Sequence, residues 1–463
     1  MIGDDVLFLP VRELAERLRT GALSPVELTE AYLDRSRSMG VRLNAYVTLT
    51  PELARAEAKQ AATEIAAGRY RGLLHGIPYA AKDLLAVRGY PTTWGARPFA
   101  DQKFDYDATV IRKLREAGAI LIGKAAMIEL AGGMNYRFAS ASLTGATRNP
   151  WNTECWTCGS SSGSGAIAAA ALAAFAIGTE TWGSILCPAA FCGASGLRPT
   201  YGRVSRHGAM ALAFSMDKIG PLARTADDCG IVLSVIAGHD PADAASLADG
   251  AFAYDAAPSP PLRIGWLTNA WKSLPAPIES AVSEARRVLG EAGAHIGPAE
   301  LPEGPWEVAA GVVVSVEGAS AFGDLIDSGR VAQLADPLGR INGYVNQQIP
   351  ASDYLRAQRI RGVLQRRIDA LFEKFDVLAS ASQPVTATPL GANLETGLDY
   401  ADPLGGIGNF CGLPAISVPC GFSGGLPVGV QFVGRAYDDA KAIAAARLFQ
   451  QQTDWHRRRP PLA

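Results

Sequence analysis

Residues Cys158 to Gly202 read CGSSSGSGAIAAAALAAFAIGTETWGSILCPAAFCGASGLRPTYG, and the remainder of the chain can be ordered around them. The segment opens on a Ser/Gly loop, continues through alanines able to form a closely packing helix, and reaches a second tight turn, Thr179-Glu180-Thr181-Trp182-Gly183-Ser184. Each Gly-Ser turn offers backbone N–H groups beside a hydroxyl. A Ser/Gly tract taken alone is more often a solvated linker than a reactive loop. Its neighbours argue against a linker here: Asn149-Pro150-Trp151 precedes it, and an Ala/Ile/Leu run too apolar for solvent follows directly.

The chain has 463 residues, of which 48% are apolar and 19% charged, proportions that suit a substantial buried core. Length alone allows two or three domains, but large α/β enzymes exceed that scale, and a single unit over 1–463 is expected. The prolines clustered between Asp255 and Pro261 mark the one internal place where it can subdivide, and no repeat is visible. A formal net charge of −2 gives no electrostatic reason to expect nucleic acid or an anionic membrane. The expected partner is a small molecule, with no nucleic acid bound directly, no membrane, and a homodimer as the assembly open to it.

Seven cysteines in apolar segments suggest buried thiols in a reducing compartment. Cys155-Trp156-Thr157-Cys158 has the spacing of a redox pair or half a zinc site, but no second Cys/His pair stands nearby and the five histidines are dispersed, so neither metal nor cofactor is expected. The acidic start, Met1-Ile2-Gly3-Asp4-Asp5, is unlike a secretory signal, and the longest apolar run, Ala166 to Ile177, is too short to span a bilayer. A cytoplasmic protein is expected.

Along the chain, Ser24-Pro25-Val26-Glu27 places a cap, a first-turn proline and a Glu three residues after the cap, predicting a helix over Pro25–Ser38. Further helices are predicted over Pro51–Ala67, over Ala108–Ala117 after a capping Asp107, and from Thr225 to Gly238. Short apolar runs at Leu73–Asp83, Ala119–Gly123, Leu262–Leu267, Asp376–Ala379, Ala415–Val418 and Val428–Val433 read as strands. This alternation indicates an α/β sandwich.

The central segment resembles the amidase signature hydrolases, whose pattern is a GGSSGGS loop, an Ala-rich helix, a GTDTGGSIRxPAAFCG turn and GLKPTYGRVS. Closing motifs at Gly412–Gly421 and Gly425–Gln431 extend the likeness over nearly the whole chain, apart from about Ala270 to Ala351. The resemblance implies an α/β fold with a large mixed twisted sheet between layers of helices. It implies Ser184 as nucleophile, Ser160 as a bridging serine after a cis peptide, and Lys82, in Gly76-Ile77-Pro78-Tyr79-Ala80-Ala81-Lys82-Asp83, as the base. For that work Lys82 must be neutral, which requires desolvation to bring an ordinary lysine, near ~10.4, down to about 7 to 8. The backbone N–H groups of Thr181, Trp182, Gly183 and Ser184 are implied as the oxyanion nest. Gly132, Gly133 and Met134 are implied at the mouth of the substrate pocket. Ser161, Ser162 and Ser164 read as loop or helix-cap residues.

Two departures from that pattern stand out at the second turn. Trp182 stands in place of a glycine, either packing into the core or walling the pocket, and Leu186 stands where the family has an arginine able to meet Glu180 or an anionic substrate. Together they favour an uncharged, partly apolar amide: an aryl or alkyl amide, with anilides and carbamates as extensions. The alternative is the glutamine-hydrolysing component of the tRNA-dependent amidotransferases, for which Arg361 and Asp402 stand where a glutamine can be gripped. A scaffold without catalysis is the remaining alternative, and the joint presence of Lys82, Ser160 and Ser184 speaks against it.

Overall fold

The computed structural model describes residues 2–256, 261–398 and 401–461, so most of the proline cluster proposed as a boundary, residues 257–260, lies outside the described residues. Among the described residues, eleven strands form one mixed sheet: β1 (Tyr46–Leu49), β2 (Pro78–Lys82), β3 (Ile120–Ala125), β4 (Phe175–Glu180), β5 (Ser195–Arg198), β6 (Lys218–Ala223), β7 (Arg263–Leu267), β8 (His295–Ala299), β9 (Val377–Ala381), β10 (Ala415–Ser423) and β11 (Leu426–Gly434). Their order is β1-β3-β2-β4-β6-β5-β10-β11-β9-β7-β8. Strand β2 runs parallel to β3 and β4, whereas β4 pairs antiparallel with β6. All residues of β2, β3 and β4 are buried, as expected of strands covered on both faces.

The helix predictions hold within a few residues: Pro25–Arg35, Pro51–Ala66, Thr109–Glu116 and Ala226–Ile236. Ser24 Oγ accepts from the Val26 N–H and Thr225 Oγ1 from that of Asp228, which are the caps the sequence suggests. Asp107 does not cap; its carboxylate instead takes the Arg88 N–H at 2.9 Å and an ion pair with Arg115.

The alanine run behaves differently from its expectation. Only Ser162–Ala169 is helical; the chain turns at Ala171, with φ of 49°, and continues as β4. Alanine favours helix by a few tenths of a kcal/mol per residue, roughly the weight of one tertiary contact, so the slot between β2 and β6 prevails. The short helix seats closely because Gly163 lies against backbone: a Cβ there would come within 2.3 Å of the Ala45 carbonyl. Strands β2 and β4, being parallel, end on one edge of the sheet. Lys82 and the Thr179–Ser184 turn therefore emerge side by side.

Candidate active site

Lys82 ends β2 with its side chain fully buried. Its Nζ donates to Ser160 Oγ at 2.7 Å, Thr179 Oγ1 at 2.9 Å and Ser161 Oγ at 3.0 Å. Burial among apolar neighbours pulls this amine down from 10.5 to about 7, with the carboxylates of Asp217 and Glu180 opposing. The peptide bond between Gly159 and Ser160 is cis. Ser161 does more than a loop residue would, since it contacts Lys82 and donates to the Thr179 carbonyl at 3.1 Å. The sequence points to neither Ser161 nor Thr179 for this role, although both flank the Gly-Ser turns.

The Thr179–Ser184 turn is held from outside. Glu180, buried at the end of β4, accepts the N–H groups of Ile185 at 2.8 Å and Leu186 at 3.0 Å on one oxygen. Its other oxygen takes Arg198 at 2.8 Å and Asn409 at 3.0 Å. The cation missing at Leu186 is thus supplied from β5, and Leu186 itself is buried in a second apolar cluster with Trp306, Leu404 and Phe410. Among the described residues, the backbone N–H groups of Thr181, Trp182, Gly183 and Ser184 are left without partners. Gly183 has φ of 78° and open space where a Cβ would stand, so this position needs glycine for conformation rather than for packing. Thr181 Oγ1 is anchored to Asp217.

The Ser184 hydroxyl takes no hydrogen-bond partner among the described residues. The two serine loops meet through backbone, the Ser161 N–H donating to the Ser184 carbonyl at 3.3 Å, and through a disulfide between Cys158 and Cys187. That bond corrects the expectation of seven thiols. Cys155, Cys192, Cys229, Cys411 and Cys420 remain free and buried, and Cys158 pairs with the residue three beyond Ser184 instead of with Cys155.

Trp182 is partly exposed, and its indole N–H donates to Asp402 Oδ2 at 3.0 Å. Asp402 also caps a helix through the Gly405 N–H at 3.0 Å and is pushed up by burial to about 6. Its own N–H reaches Glu307 Oε1 at 2.7 Å, on the helix Trp306–Ala321 from the segment where the family pattern is not legible. Arg361 is engaged elsewhere, with its guanidinium on Ser215 Oγ at 3.1 Å and the Ser215 carbonyl at 2.7 Å. Met134 lies in the core, its sulfur 3.1 Å from the position a Cβ would take on Gly343. Gly133 packs under Phe322 and Leu212, and Gly132 beside Tyr136. A cavity of about 200 Å³ reaches Thr179 and Thr181 from the surface, lined by Leu84, Ala131, Met210 and Lys218. Ala131, one residue before the glycine pair, is therefore the member of that loop facing it.

The structure thus brings a lysine poised toward its neutral form onto a serine hydroxyl, beside a turn of unpartnered amides. The Amidase family model matches residues 27–443. A component of the glutamyl-tRNA(Gln) amidotransferase of Moorella thermoacetica is 37% identical over 486 residues, covering 99% of each chain. The peptide amidase of Stenotrophomonas maltophilia superposes with a TM-score of 0.86 at 32% identity, covering 98% of both chains. A chain of a vestigial protein complex that bears on the origins of an s-triazine catabolic enzyme does so with 0.86 at 29%, covering 96% of this chain and 98% of its own. The chain belongs to the amidase signature family and is an amide-hydrolysing enzyme.

These relatives also correct one expectation. A small-molecule amide as sole partner, with no nucleic acid and at most a homodimer, does not fit curated relatives that are named as one component of an enzyme for glutamyl-tRNA(Gln). Net charge misses this because it averages over the whole surface. Among the described residues no helix is long and apolar enough to cross a membrane.

Proposed function

We propose that this chain is the ammonia-releasing component of an amidotransferase-like assembly, hydrolysing the primary amide of glutamine through an acyl-enzyme on Ser184. The observation that carries it is near full-length similarity, at 37–38% identity, to components of glutamyl-tRNA(Gln) amidotransferases, in a chain that keeps Lys82, Ser160 and Ser184. An amide is a poor electrophile, so it needs an activated nucleophile, an oxyanion site and a proton for the leaving nitrogen. Ser184 Oγ attacks the carbonyl carbon while its proton passes to Ser160 and the Ser160 proton to neutral Lys82. The Ser160–Ser184 contact forms as substrate seats, since such bonds tighten in the bound complex. The oxyanion settles on the amides of Thr181 to Ser184. Collapse returns the proton along the same path to the nitrogen, ammonia leaves, and water repeats the sequence to free the carboxylate.

A second reading has its own support. The indole of Trp182 occupies Asp402, and Leu186 is apolar, which favours an uncharged, partly apolar amide, with anilides and aryl carbamates as extensions. One experiment separates the two: kcat/KM of the purified chain for L-glutamine against benzamide and acetanilide, with ammonia or aniline measured directly. Preference for glutamine supports the first reading, and a preference of more than about tenfold for the aryl amides overturns it in favour of the second.

A further inference from the structure

Two cysteines distant in sequence meet in space. Cys158 occupies a glycine of the Ser/Gly loop, with φ of 63°, and Cys187 occupies the unspecified position of the nucleophile turn. They form the disulfide, with Cα atoms 5.9 Å apart across 29 residues of chain. One half lies two residues before Ser160. The other lies three residues after Ser184, in the first turn of the helix Leu186–Cys192, where the Cys187 N–H also holds the Gly183 carbonyl at 2.8 Å. Beside this bond, the two segments are joined by the Ser161 N–H donating to the Ser184 carbonyl at 3.3 Å and the Cys192 thiol donating to the Thr157 carbonyl at 3.7 Å. Both cysteines belong to a buried apolar cluster with Ile128, Trp156, Phe191, Ala387 and Leu394, and five further buried cysteines stay unpaired, so burial alone does not account for the pairing.

We propose that Cys158–Cys187 is a thiol–disulfide exchange site that sets the alignment of Ser160 with Ser184, so that the oxidised chain is the fast form and the reduced chain the slow one. The proposal rests on Ser184 being the nucleophile. The exchange partner is a dithiol. One of its thiolates attacks a sulfur of the pair and releases the other as a thiolate; its second thiolate then resolves the mixed disulfide. Two electrons pass to the protein, which gains two thiols, and the partner leaves as a cyclic disulfide. Because the relay needs the two hydroxyls within hydrogen-bond reach, releasing the clamp lowers the rate of attack more than it weakens binding.

The test uses the full chain equilibrated in mixtures of reduced and oxidised dithiothreitol. Free thiols are alkylated in denaturant and the Cys158 and Cys187 peptides are quantified by mass spectrometry. In parallel, the rate of Ser184 labelling by a fluorophosphonate is measured, a readout independent of the natural substrate. The cross-linked fraction and the labelling rate should rise together, with the oxidised chain at least about tenfold faster. Cys158→Gly, which suits the left-handed backbone, and Cys187→Ala should label at the slow rate in every mixture. Equal rates in the two wild-type states, peptides that are never cross-linked, or a variant that still responds to the reductant would each overturn the proposal. The wild-type titration decides even where a variant does not fold. No labelling of Ser184 in any state would instead sink the catalytic assignment on which the proposal stands.

Discussion

The proton on Lys82 gives the sharpest test of the relay. Moving this amine from 10.5 to about 7 corresponds to roughly 5 kcal/mol of preference for the neutral form, supplied chiefly by burial. With a value of about 7, about a tenth of the protein carries neutral Lys82 at pH 6 and about nine-tenths at pH 8. The rate of Ser184 labelling, or kcat/KM for an amide, should therefore climb about tenfold per pH unit below 7 and level off above 8. Asp402, pushed up to about 6, is the competing explanation of such a limb, and Asp402→Asn should leave it in place. Lys218 is also buried and lowered, and Lys218→Met is the matching control. Lys82→Arg keeps its charge throughout and should be inactive across the range. A wild-type rate still rising tenfold per unit at pH 9 would show an ordinary lysine and refute the relay. The same displacement has a sign for stability: the folded-state value lies below the unfolded one, so Lys82 opposes folding fully below about pH 7, and that cost fades as pH rises toward 10.5.

Ser184→Ala should lower hydrolysis by at least about a thousandfold with an unchanged circular dichroism spectrum, and Lys82→Ala/Ser184→Ala should cost little beyond the worse single variant, since members of one relay are not additive. Additive losses would place Lys82 outside it. Glu180→Ala leaves Arg198 buried without its carboxylate and releases the Ile185 and Leu186 amides, so urea unfolding should report a loss of about 3–5 kcal/mol together with a lower kcat. Trp182→Gly should reduce kcat/KM for aryl amides more than for acetamide by about 0.5–1.5 kcal/mol if the indole touches substrate, and equally for both if it only holds Asp402.

The proposed catalytic constellation can be read along the chain because its parts are local. Ser160, Ser184 and the nest at Thr181 to Ser184 lie within one segment, and the glycines that shape its turns are tied to backbone conformations few other residues adopt. Helix starts are legible for the same reason: the caps at Ser24 and Thr225 act on N–H groups two or three residues away. The poise of Lys82 follows from its apolar neighbours, but its wiring to Ser161 and Thr179 requires β2 and β4 to end on one edge of the sheet. Burial across a sheet also decides where the alanine run stops being helix, since local propensity there is weaker than the demand of two neighbouring strands. The partners of the two unusual residues lie far off in sequence: Arg198 serves Glu180 in place of a cation at 186, and Asp402 meets Trp182 from 220 residues away. The Cys158–Cys187 bond belongs with them. A cysteine's partner is set by which backbones the fold brings within about 7 Å, whereas spacing along the chain points to Cys155 instead.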